Sequence, residues 1–285
     1  MSDPRPALLG PAEIRELAAR LGVNPTKKLG QNFVLDPNTV RRIVRTAGVE
    51  AGETVVEVGP GLGSLTLGLL EAGARVAAVE IDGRLAEQLP LTVAEVGGLD
   101  AAARLDVVHA DALRVTELPD PVRFVANLPY NVSVPVLLHF LEHFDSIRSG
   151  VVMVQAEVGE RIAARPGSKV YGSPSVKSAW YGAFRVAGQV SRQVFWPVPN
   201  VDSVLVGFTR HDEEPGTAEE RRATFRLVDA AFGQRRKTLR QSLSGVLGGA
   251  DAAGGALAAA GVDPSARGER LTVEDFLRIA RVAAA

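Results

Sequence analysis

The chain has 285 residues, of which 46% are hydrophobic, so it can bury a large core, and its length suggests one large domain followed by a smaller one. Its formal net charge of −1 does not by itself favour a polyanionic partner. The chain has no cysteine, which excludes disulfides, thiolate nucleophiles and cysteine-based zinc sites. Residues 1–6 lack an apolar signal core, and no apolar run reaches membrane-spanning length. We therefore expect a cytoplasmic protein that does not enter a membrane.

The first predicted elements are two short amphipathic helices with a loop between them. Apolar residues at helical spacing over residues 11–22 end at a glycine, as helices commonly do. The second helix begins at Asp36 and Pro37, a cap acceptor followed by a proline in the first turn. Residues 27–36 between them carry two lysines, two amides and Phe33, which the sequence suggests is exposed. We expect this loop to lie over a pocket.

A strand, a glycine-rich turn and a helix then follow one another directly. The β-branched residues 54–56 lead into Glu57, and Gly59, Gly61 and Gly63 precede an apolar helical pattern. Free backbone amides at the start of such a helix are suited to face a nucleotide-like ligand. The spacing is not that of the dinucleotide fingerprint, and Glu57 would repel a pyrophosphate but not a ligand that carries an ammonium and a sulfonium. A tight turn without a ligand is the alternative for this loop taken alone.

Strand and helix patterns alternate beyond the glycine turn, which is typical of a mostly parallel sheet with right-handed crossovers. The predicted strands cover residues 76–81, 105–109, 122–126 and 151–155, and the predicted helices cover residues 83–96 and 133–144. Polar side chains stand at four strand ends: Glu57, Glu80, Asp111 and Asn127. Because ligands bind at the carboxyl ends of parallel strands, we expect these four residues to surround one site.

The acids among them suit a nucleoside. Glu80 lies about 20 residues beyond the glycine turn, where an acid can accept hydrogen bonds from both hydroxyl groups of a ribose. Asp111 would accept a hydrogen bond from an adenine amine, and a helix cap is the alternative role. Glu57, the glycine turn and Glu80 together resemble motif I and the ribose-binding acid of S-adenosylmethionine-dependent methyltransferases.

The most diagnostic stretch is Asn127-Leu128-Pro129-Tyr130 at a strand end. The exocyclic amine of a nucleobase is a poor nucleophile, because its lone pair is delocalised into the ring. The Asn127 side-chain oxygen and a backbone carbonyl at Leu128 or Pro129 could each accept one amine proton and direct the lone pair towards a methyl group. Tyr130 could stack on a base turned out of its helix. A plain Asn-x-Pro turn is the alternative.

The C-terminal third is predicted to be a separate helical domain. Residues 211–216 read as a linker. Predicted helices follow at residues 218–232, 237–247, 252–260 and 273–284. Acids predominate between residues 50 and 120, whereas bases predominate between residues 221 and 240, including Arg235, Arg236 and Lys237. This asymmetry indicates a basic patch for a polyanion, with a solvated helix face as the alternative.

Two further features leave alternatives open. Residues 195–200 hold Phe195 between strand-like runs, where two prolines fix an extended backbone; the ring could stack on a base, or it could be buried in a turn. His139 and His143 are four residues apart on one predicted helix, a spacing that can bind zinc, but no third ligand is near in the sequence. We expect no metal site.

Seven stretches together carry a resemblance that covers nearly the whole chain. They are residues 31–36, 57–63, 79–82, 111–113, 127–131, 195–199 and 232–240. In this order they resemble the KsgA-type family of small-subunit (16S) ribosomal RNA adenine N6-dimethyltransferases. The resemblance implies an α/β fold, with a Rossmann-like class I S-adenosylmethionine methyltransferase sheet and a smaller all-α C-terminal domain. The domains are predicted at residues 1–210, with the N-terminal helical lead-in, and at residues 217–285, which would bind RNA.

The resemblance also implies a cofactor, S-adenosyl-L-methionine, and residues for each role. The expected cofactor-binding residues are Asn32, Val34, Glu57, Gly59, Gly61, Gly63, Glu80, Ile81, Asp111, Ala112 and Asn127. The expected catalytic residues are Asn127, Leu128, Pro129 and Tyr130. The expected substrate contacts are Phe33, Tyr130 and Phe195, together with phosphate contacts from the cluster at 235–237.

The implied reaction is the transfer of four methyl groups to two adjacent adenosines in the 3′-terminal hairpin, helix 45, of 16S rRNA. The implied partner is the pre-30S particle, with a role in ribosome biogenesis, and we expect a monomer. One alternative is a 23S rRNA adenine N6-methyltransferase of the antibiotic-resistance type. Another is a protein that acts mainly as a non-catalytic ribosome assembly factor. A DNA adenine methyltransferase would normally have proline in place of Leu128 and a larger recognition domain.

Overall fold

The computed structural model describes residues 8–23 and 32–285. The chain divides into two compact units, the first formed by residues Met1–Gly159 and Val186–Thr209 and the second by residues Glu160–Arg185 and Arg210–Ala285. Part of the predicted loop over the pocket, including Lys27, Lys28 and Gln31, lies outside the described residues. In the part of the chain that is described, no helix combines the length and apolar character needed to cross a bilayer.

The elements are numbered in chain order. The strands are β1 (Phe33–Val34), β2 (Thr54–Val58), β3 (Arg75–Glu80), β4 (Leu105–His109), β5 (Arg123–Asn127), β6 (Ser149–Gln155), β7 (Gly182–Val190), β8 (Phe195–Trp196) and β9 (Ser203–Arg210). The helices are α1 (Pro11–Arg20), α2 (Pro37–Ala47), α3 (Ser64–Glu71), α4 (Gly83–Gly97), α5 (Leu99–Ala102), α6 (Ser133–His143), α7 (Ala156–Ile162), α8 (Ser173–Tyr181), α9 (Ala218–Gly233), α10 (Leu239–Ser242), α11 (Ala250–Ala259) and α12 (Val273–Ala284).

The first unit is built around a seven-stranded sheet in the order β4-β3-β2-β5-β6-β9-β7, where residues 186–190 of β7 belong to this unit. The strands from β4 to β6 are parallel, and β9 runs antiparallel to β6. Val55 and Val56 point to opposite faces of the sheet, yet both are fully buried, as expected for a parallel strand covered on both faces. The predicted mostly parallel α/β sheet is confirmed.

Helix α2 begins as the sequence predicts. The Asp36 carboxylate accepts hydrogen bonds from the backbone amides of Asn38 and Thr39 at 3.2 and 2.9 Å, and Pro37 occupies the first turn. Its buried stripe includes the predicted apolar residues: Val40, Ile43, Val44 and Ala47. Because α2 follows β1 directly, the Asp36 cap also fixes the path of the chain between residues 34 and 37.

The second unit is mainly helical, and it differs from the predicted domain in one respect. Residues 160–185 belong to it, although the prediction placed them within the domain of residues 1–210. They join this unit through distant partners: the Tyr171 hydroxyl donates to the Leu271 carbonyl at 2.8 Å, and the Lys177 ammonium lies 2.7 Å from the Asp229 carboxylate. These partners are about a hundred and about fifty residues away, so local patterns do not reveal the grouping.

Several helix predictions are confirmed, and others are wrong. Helices α9, α11 and α12 lie where the sequence predicts them, whereas only Leu239–Ser242 of the predicted helix at residues 237–247 is α-helical. Gly248 and Gly249, which have positive φ angles, lie beyond this segment and form the turn that leads into α11. The segment after β6, for which the sequence patterns predict no helix, contains α7 and α8.

Candidate functional site

A cavity in the first unit lies where the parallel strands end. It is lined by these residues from the predicted site: Asn32, Phe33, Val34, Glu57, Gly59, Gly61, Glu80, Ile81, Asp111, Ala112, Asn127, Leu128, Pro129 and Tyr130. The glycine turn after β2 and the Asn127 turn after β5 therefore face the same space. Gly63 is the one predicted cofactor residue that does not line the cavity. It precedes α3 and packs against Leu89 of α4, so its place is in the helix contact.

The glycine turn is held in shape by its neighbours. Gly59 has a φ of +70° and donates its backbone amide to the Val79 carbonyl at 2.9 Å, while Gly61 has a φ of +59°. A Cβ atom added at Gly61 would lie 2.8 Å from the Phe33 ring. Since side chains rarely adopt this backbone conformation and no space remains for one, only glycine fits at position 61.

Glu80 closes the same turn from the end of β3. Its two carboxylate oxygens accept hydrogen bonds from the backbone amides of Gly61 at 3.1 Å and Asp82 at 3.0 Å. The side chain is buried, and burial raises the pKa of this carboxyl above its ordinary value against the opposing effect of these hydrogen bonds. Each oxygen of a carboxylate can accept a second hydrogen bond, so Glu80 can still receive protons from a ligand in the cavity.

Glu57 is the most deeply buried acid of the site, with 1% of its surface exposed. The Thr66 hydroxyl donates to its Oε2 atom at 2.6 Å. Burial raises the pKa of Glu57 to about 8, and the Thr66 hydrogen bond offsets only part of the shift, while the negative charge of Glu80 adds to it. Glu57 is therefore mostly protonated at neutral pH, and a cation in the cavity would favour its charged form.

Asp111 caps a short 3-10 turn at residues 112–114. Its Oδ1 atom accepts the backbone amide of Leu113 at 3.0 Å, and its Oδ2 atom lies 3.9 Å from the exposed guanidinium of Arg114. The capping role that sequence reasoning weighed is thus present, and Asp111 also lines the cavity. Sequence reasoning missed Leu113, which lines the cavity with 39% of its surface exposed, like Ile81 with 56%. An isolated leucine after Asp111 carries no distinctive pattern.

The turn from Asn127 to Tyr130 is tethered to three other segments. The Asn127 side-chain amide donates to the Asn32 carbonyl at 2.9 Å, and the Leu128 backbone amide donates to Met153 of β6 at 3.1 Å. The Tyr130 hydroxyl is hydrogen-bonded to Ser203 of β9 at 2.8 Å. This bond uses one of the two N–H groups of the Asn127 amide and fixes its orientation, and the side-chain oxygen is the acceptor that it can offer to a ligand.

Phe33 of β1 and Phe195 of β8 are both buried, whereas the sequence suggests an exposed Phe33 and leaves two alternatives for Phe195. Phe33 and Val34 pair with Trp196 and Phe195 as a two-stranded antiparallel ladder. Phe33 is 7% exposed and stacks on Trp196 with ring centroids 6.2 Å apart, so its predicted exposure is wrong. Phe195 is buried in the core and does not line the cavity, which matches the buried-turn alternative for this ring.

The predicted basic cluster lies in the second unit, after α9. Arg235 pairs with the Glu269 carboxylate at 3.2 Å and donates to the Lys169 carbonyl at 2.6 Å. Arg236 and Lys237 are exposed. Arg235 is exposed as well, so all three cations present charge to solvent, and Arg235 also holds its own segment in place.

The histidine pair on α6 has a structural explanation. His139 is hydrogen-bonded to the Val115 carbonyl at 2.8 Å, and the His139 and His143 rings lie 4.2 Å apart. Within residues 8–23 and 32–285, no group of three or more histidine, cysteine or acidic side chains could hold a metal ion. The pair thus has no third ligand there, and His139 instead fixes the segment that follows Asp111.

Comparison with known proteins gives close relatives across the whole chain. The family described as ribosomal RNA adenine dimethylase matches residues 22–285. A protein of Leifsonia xyli subsp. xyli named ribosomal RNA small subunit methyltransferase A is 76% identical over 274 residues, which cover 96% of this chain and 98% of the relative.

Two solved structures share the fold. A dimethyladenosine transferase from Plasmodium falciparum has a TM-score of 0.73 and 23% identity, covering 87% of this chain and 95% of that one. The 23S rRNA methyltransferase ErmE has a TM-score of 0.64 and 27% identity, covering 89% of this chain and 100% of that one. Both likenesses extend through most of the chain, including its helical C-terminal part.

Proposed function

The chain belongs to the ribosomal RNA adenine dimethylase family, and on that premise we propose that it dimethylates N6 of two adjacent adenosines in helix 45 of 16S rRNA. Family membership makes it an rRNA adenine dimethyltransferase that uses S-adenosyl-L-methionine. The observation that carries the choice of the small subunit is the 76% identity to a relative named for that subunit. Identity to the 23S rRNA enzyme is only 27%, which does not favour the large-subunit alternative.

The cavity fits the cofactor on the evidence of its own residues. It combines a glycine turn that no side chain could replace at Gly61, a buried acid in Glu57 whose partner within the described residues is the neutral Thr66, and lone pairs on Glu80. Glu80 would accept the ribose hydroxyls, Glu57 would face the ammonium of the methionine part, and Asp111 would accept the adenine amine. When bound, S-adenosyl-L-methionine supplies a methyl group that its sulfonium has already activated.

The protein's part in the reaction is to prepare the adenine nitrogen. The Asn127 side-chain oxygen would accept a hydrogen bond from one N–H of the amine, since the bond to Asn32 fixes the orientation of that side chain. The second acceptor would be the backbone carbonyl of Leu128 or of Pro129, and the latter keeps a lone pair besides the one that accepts the Val132 amide at 3.2 Å. Two acceptors draw the nitrogen towards tetrahedral geometry, so its lone pair points at the methyl group.

The remaining requirements are a place for the base and an exit for the proton. Tyr130 lines the cavity and is half-buried, so its ring offers a stacking face for an adenine turned out of the RNA helix. A methylated ammonium is acidic enough to lose its proton to water, and no strong general base is required. The exposed Arg236 and Lys237 would contact RNA phosphates.

The biological setting follows from the same proposal. The substrate would be the pre-30S particle in the cytoplasm, bound by a monomer of this chain, and the absence of cysteine fits a reducing compartment. An assembly role in which binding matters more than methylation is compatible with this chemistry.

The proposal is tested with the purified protein, labelled S-adenosyl-L-methionine and ribosomal subunits from cells that lack both methylations. We expect N6-dimethyladenosine in the 3′-terminal hairpin of 16S rRNA after incubation with small subunits, and no label in 23S rRNA after incubation with large subunits. Label in 23S rRNA alone would contradict the proposal and favour the antibiotic-resistance type of enzyme.

A further inference from the structure

The hydroxyl of Tyr130 has a partner that no sequence motif indicates. Ser203 is the first residue of β9, is fully buried, and lies 2.8 Å from the Tyr130 oxygen. The two residues are 73 positions apart. Tyr130 follows β5, and β6 lies between β5 and β9 in the sheet, so this hydrogen bond reaches past the end of β6.

The serine is itself held rigidly. Ser203 is in register with Gln155 of β6, and the backbone carbonyl of the preceding Asp202 accepts the Ala156 amide at 3.0 Å. Both sides of the serine are therefore fixed by the antiparallel ladder, and its hydroxyl reaches Tyr130 from a rigid strand. A residue on a strand positions its partner more precisely than a residue on a loop does.

Burial of Tyr130 makes the hydrogen bond to Ser203 important for its hydroxyl group. The pKa of the Tyr130 hydroxyl is raised mainly by burial, with the charge of Asp202 adding to the shift and the Ser203 hydrogen bond opposing it. A phenol removed from water needs a partner, since an unsatisfied buried hydroxyl is unfavourable. Ser203 provides that partner at one edge of the ring, while Tyr130 lines the cavity.

We infer that Ser203 is a positioning residue for RNA methylation: through the Tyr130 hydroxyl it holds the tyrosine ring as a preformed stacking face for the target adenine. The inference rests on the proposed role of Tyr130. Ser203 does not line the cavity, so its effect reaches the adenine only through the ring. Without the serine, the ring would have to be ordered each time a base binds.

The test compares Ser203→Ala, Tyr130→Phe and the double variant, with small subunits lacking the methylations as substrate. Losing one neutral hydrogen bond corresponds to a change of about threefold to tenfold. We expect each single variant to raise the KM for the subunit by that factor and to leave the Kd for S-adenosyl-L-methionine unchanged. The double variant should be no worse than either single one, because both remove the same bond.

Controls separate positioning from folding. Ser175→Ala removes another buried and hydrogen-bonded serine hydroxyl, in the second unit, and should leave the KM for the subunit unchanged. Ser203→Thr keeps a hydroxyl on a strand and should restore most of the affinity. A single cooperative melting transition in Ser203→Ala and Tyr130→Phe shows that both proteins fold, even where the lost hydrogen bond lowers the melting temperature.

Tyr130→Ala distinguishes the inference from its premise. If Tyr130→Ala impairs methylation while Ser203→Ala does not, the serine has no positioning role, and the stacking role of Tyr130 stands. If Tyr130→Ala leaves methylation unchanged, the stacking role fails and the inference fails with it. Additive effects of Ser203→Ala and Tyr130→Phe would also overturn the inference, because the residues would then act independently.

Discussion

The buried Glu57 predicts that cofactor binding releases a proton. Its pKa of about 8 leaves this carboxyl mostly protonated at pH 6.5 in the free protein. A bound ammonium beside it would stabilise the carboxylate, so binding must expel that proton. The α-amino group of the cofactor, with an ordinary pKa of about 8, is almost fully charged at pH 6.5 and takes up few protons. The expected net release is therefore the larger part of one proton per cofactor bound.

Isothermal titration calorimetry in buffers of different ionisation enthalpy measures this number directly. At pH 8 the release from Glu57 and the uptake by the amino group are each about one half, so the net number should fall to about zero. Glu57→Gln mimics the neutral acid and should release almost no proton at pH 6.5. Glu80, whose pKa is also raised, is present in both proteins, so the loss of proton release in Glu57→Gln relative to the wild-type protein reports on Glu57.

The raised pKa of Glu57 also predicts the direction in which stability changes with pH. Since the folded protein holds this proton more tightly than the unfolded chain, the Glu57 contribution to stability falls as pH rises from about 4.5 to about 8. Glu57→Gln should lack this decline over that range. Equal proton release by the wild-type protein and Glu57→Gln at pH 6.5 would refute the reasoning that Glu57 faces the ammonium.

Two further predictions concern the basic cluster and the fold. Replacing Arg235, Arg236 and Lys237 by alanine should lower the salt slope of RNA binding by about 1.5 to 2. The loss should come mainly from Arg236 and Lys237, because Arg235 is already paired with Glu269. An unchanged slope in binding titrations would exclude phosphate contacts. Asp36→Ala should destabilise the protein by about 1 kcal/mol in denaturant unfolding, because it removes the α2 cap, whereas Asp36→Asn should retain most of the stability; equal loss in both variants would contradict the capping argument.

The cavity could be predicted from the sequence because its residues follow a general rule. Glu57, Glu80, Asp111 and Asn127 each stand at the end of an apolar strand, and parallel strands bring those ends to one edge of the sheet. The strand patterns are local, so periodicity alone locates them. The Asp36 cap of α2 is likewise a local signal.

The features that escaped prediction depend on distant pairs. The ladder of Phe33 and Val34 with residues 195–196 joins two-residue strands about 160 positions apart, and this pairing buries Phe33 and Phe195. The contacts that place residues 160–185 in the second unit, and the hydrogen bond between Tyr130 and Ser203, are also long-range. No periodicity within either segment specifies such a partner, so sequence patterns could not reveal them.

The central claim is that the Asn127 side-chain oxygen prepares the adenine nitrogen for methyl transfer. The most direct measurement is mass spectrometry of small-subunit rRNA from cells in which Asn127→Ala replaces the wild-type protein. The account predicts that N6-dimethyladenosine is lost from the 3′-terminal hairpin, while the variant still binds pre-30S particles. Undiminished dimethyladenosine in those cells would contradict it.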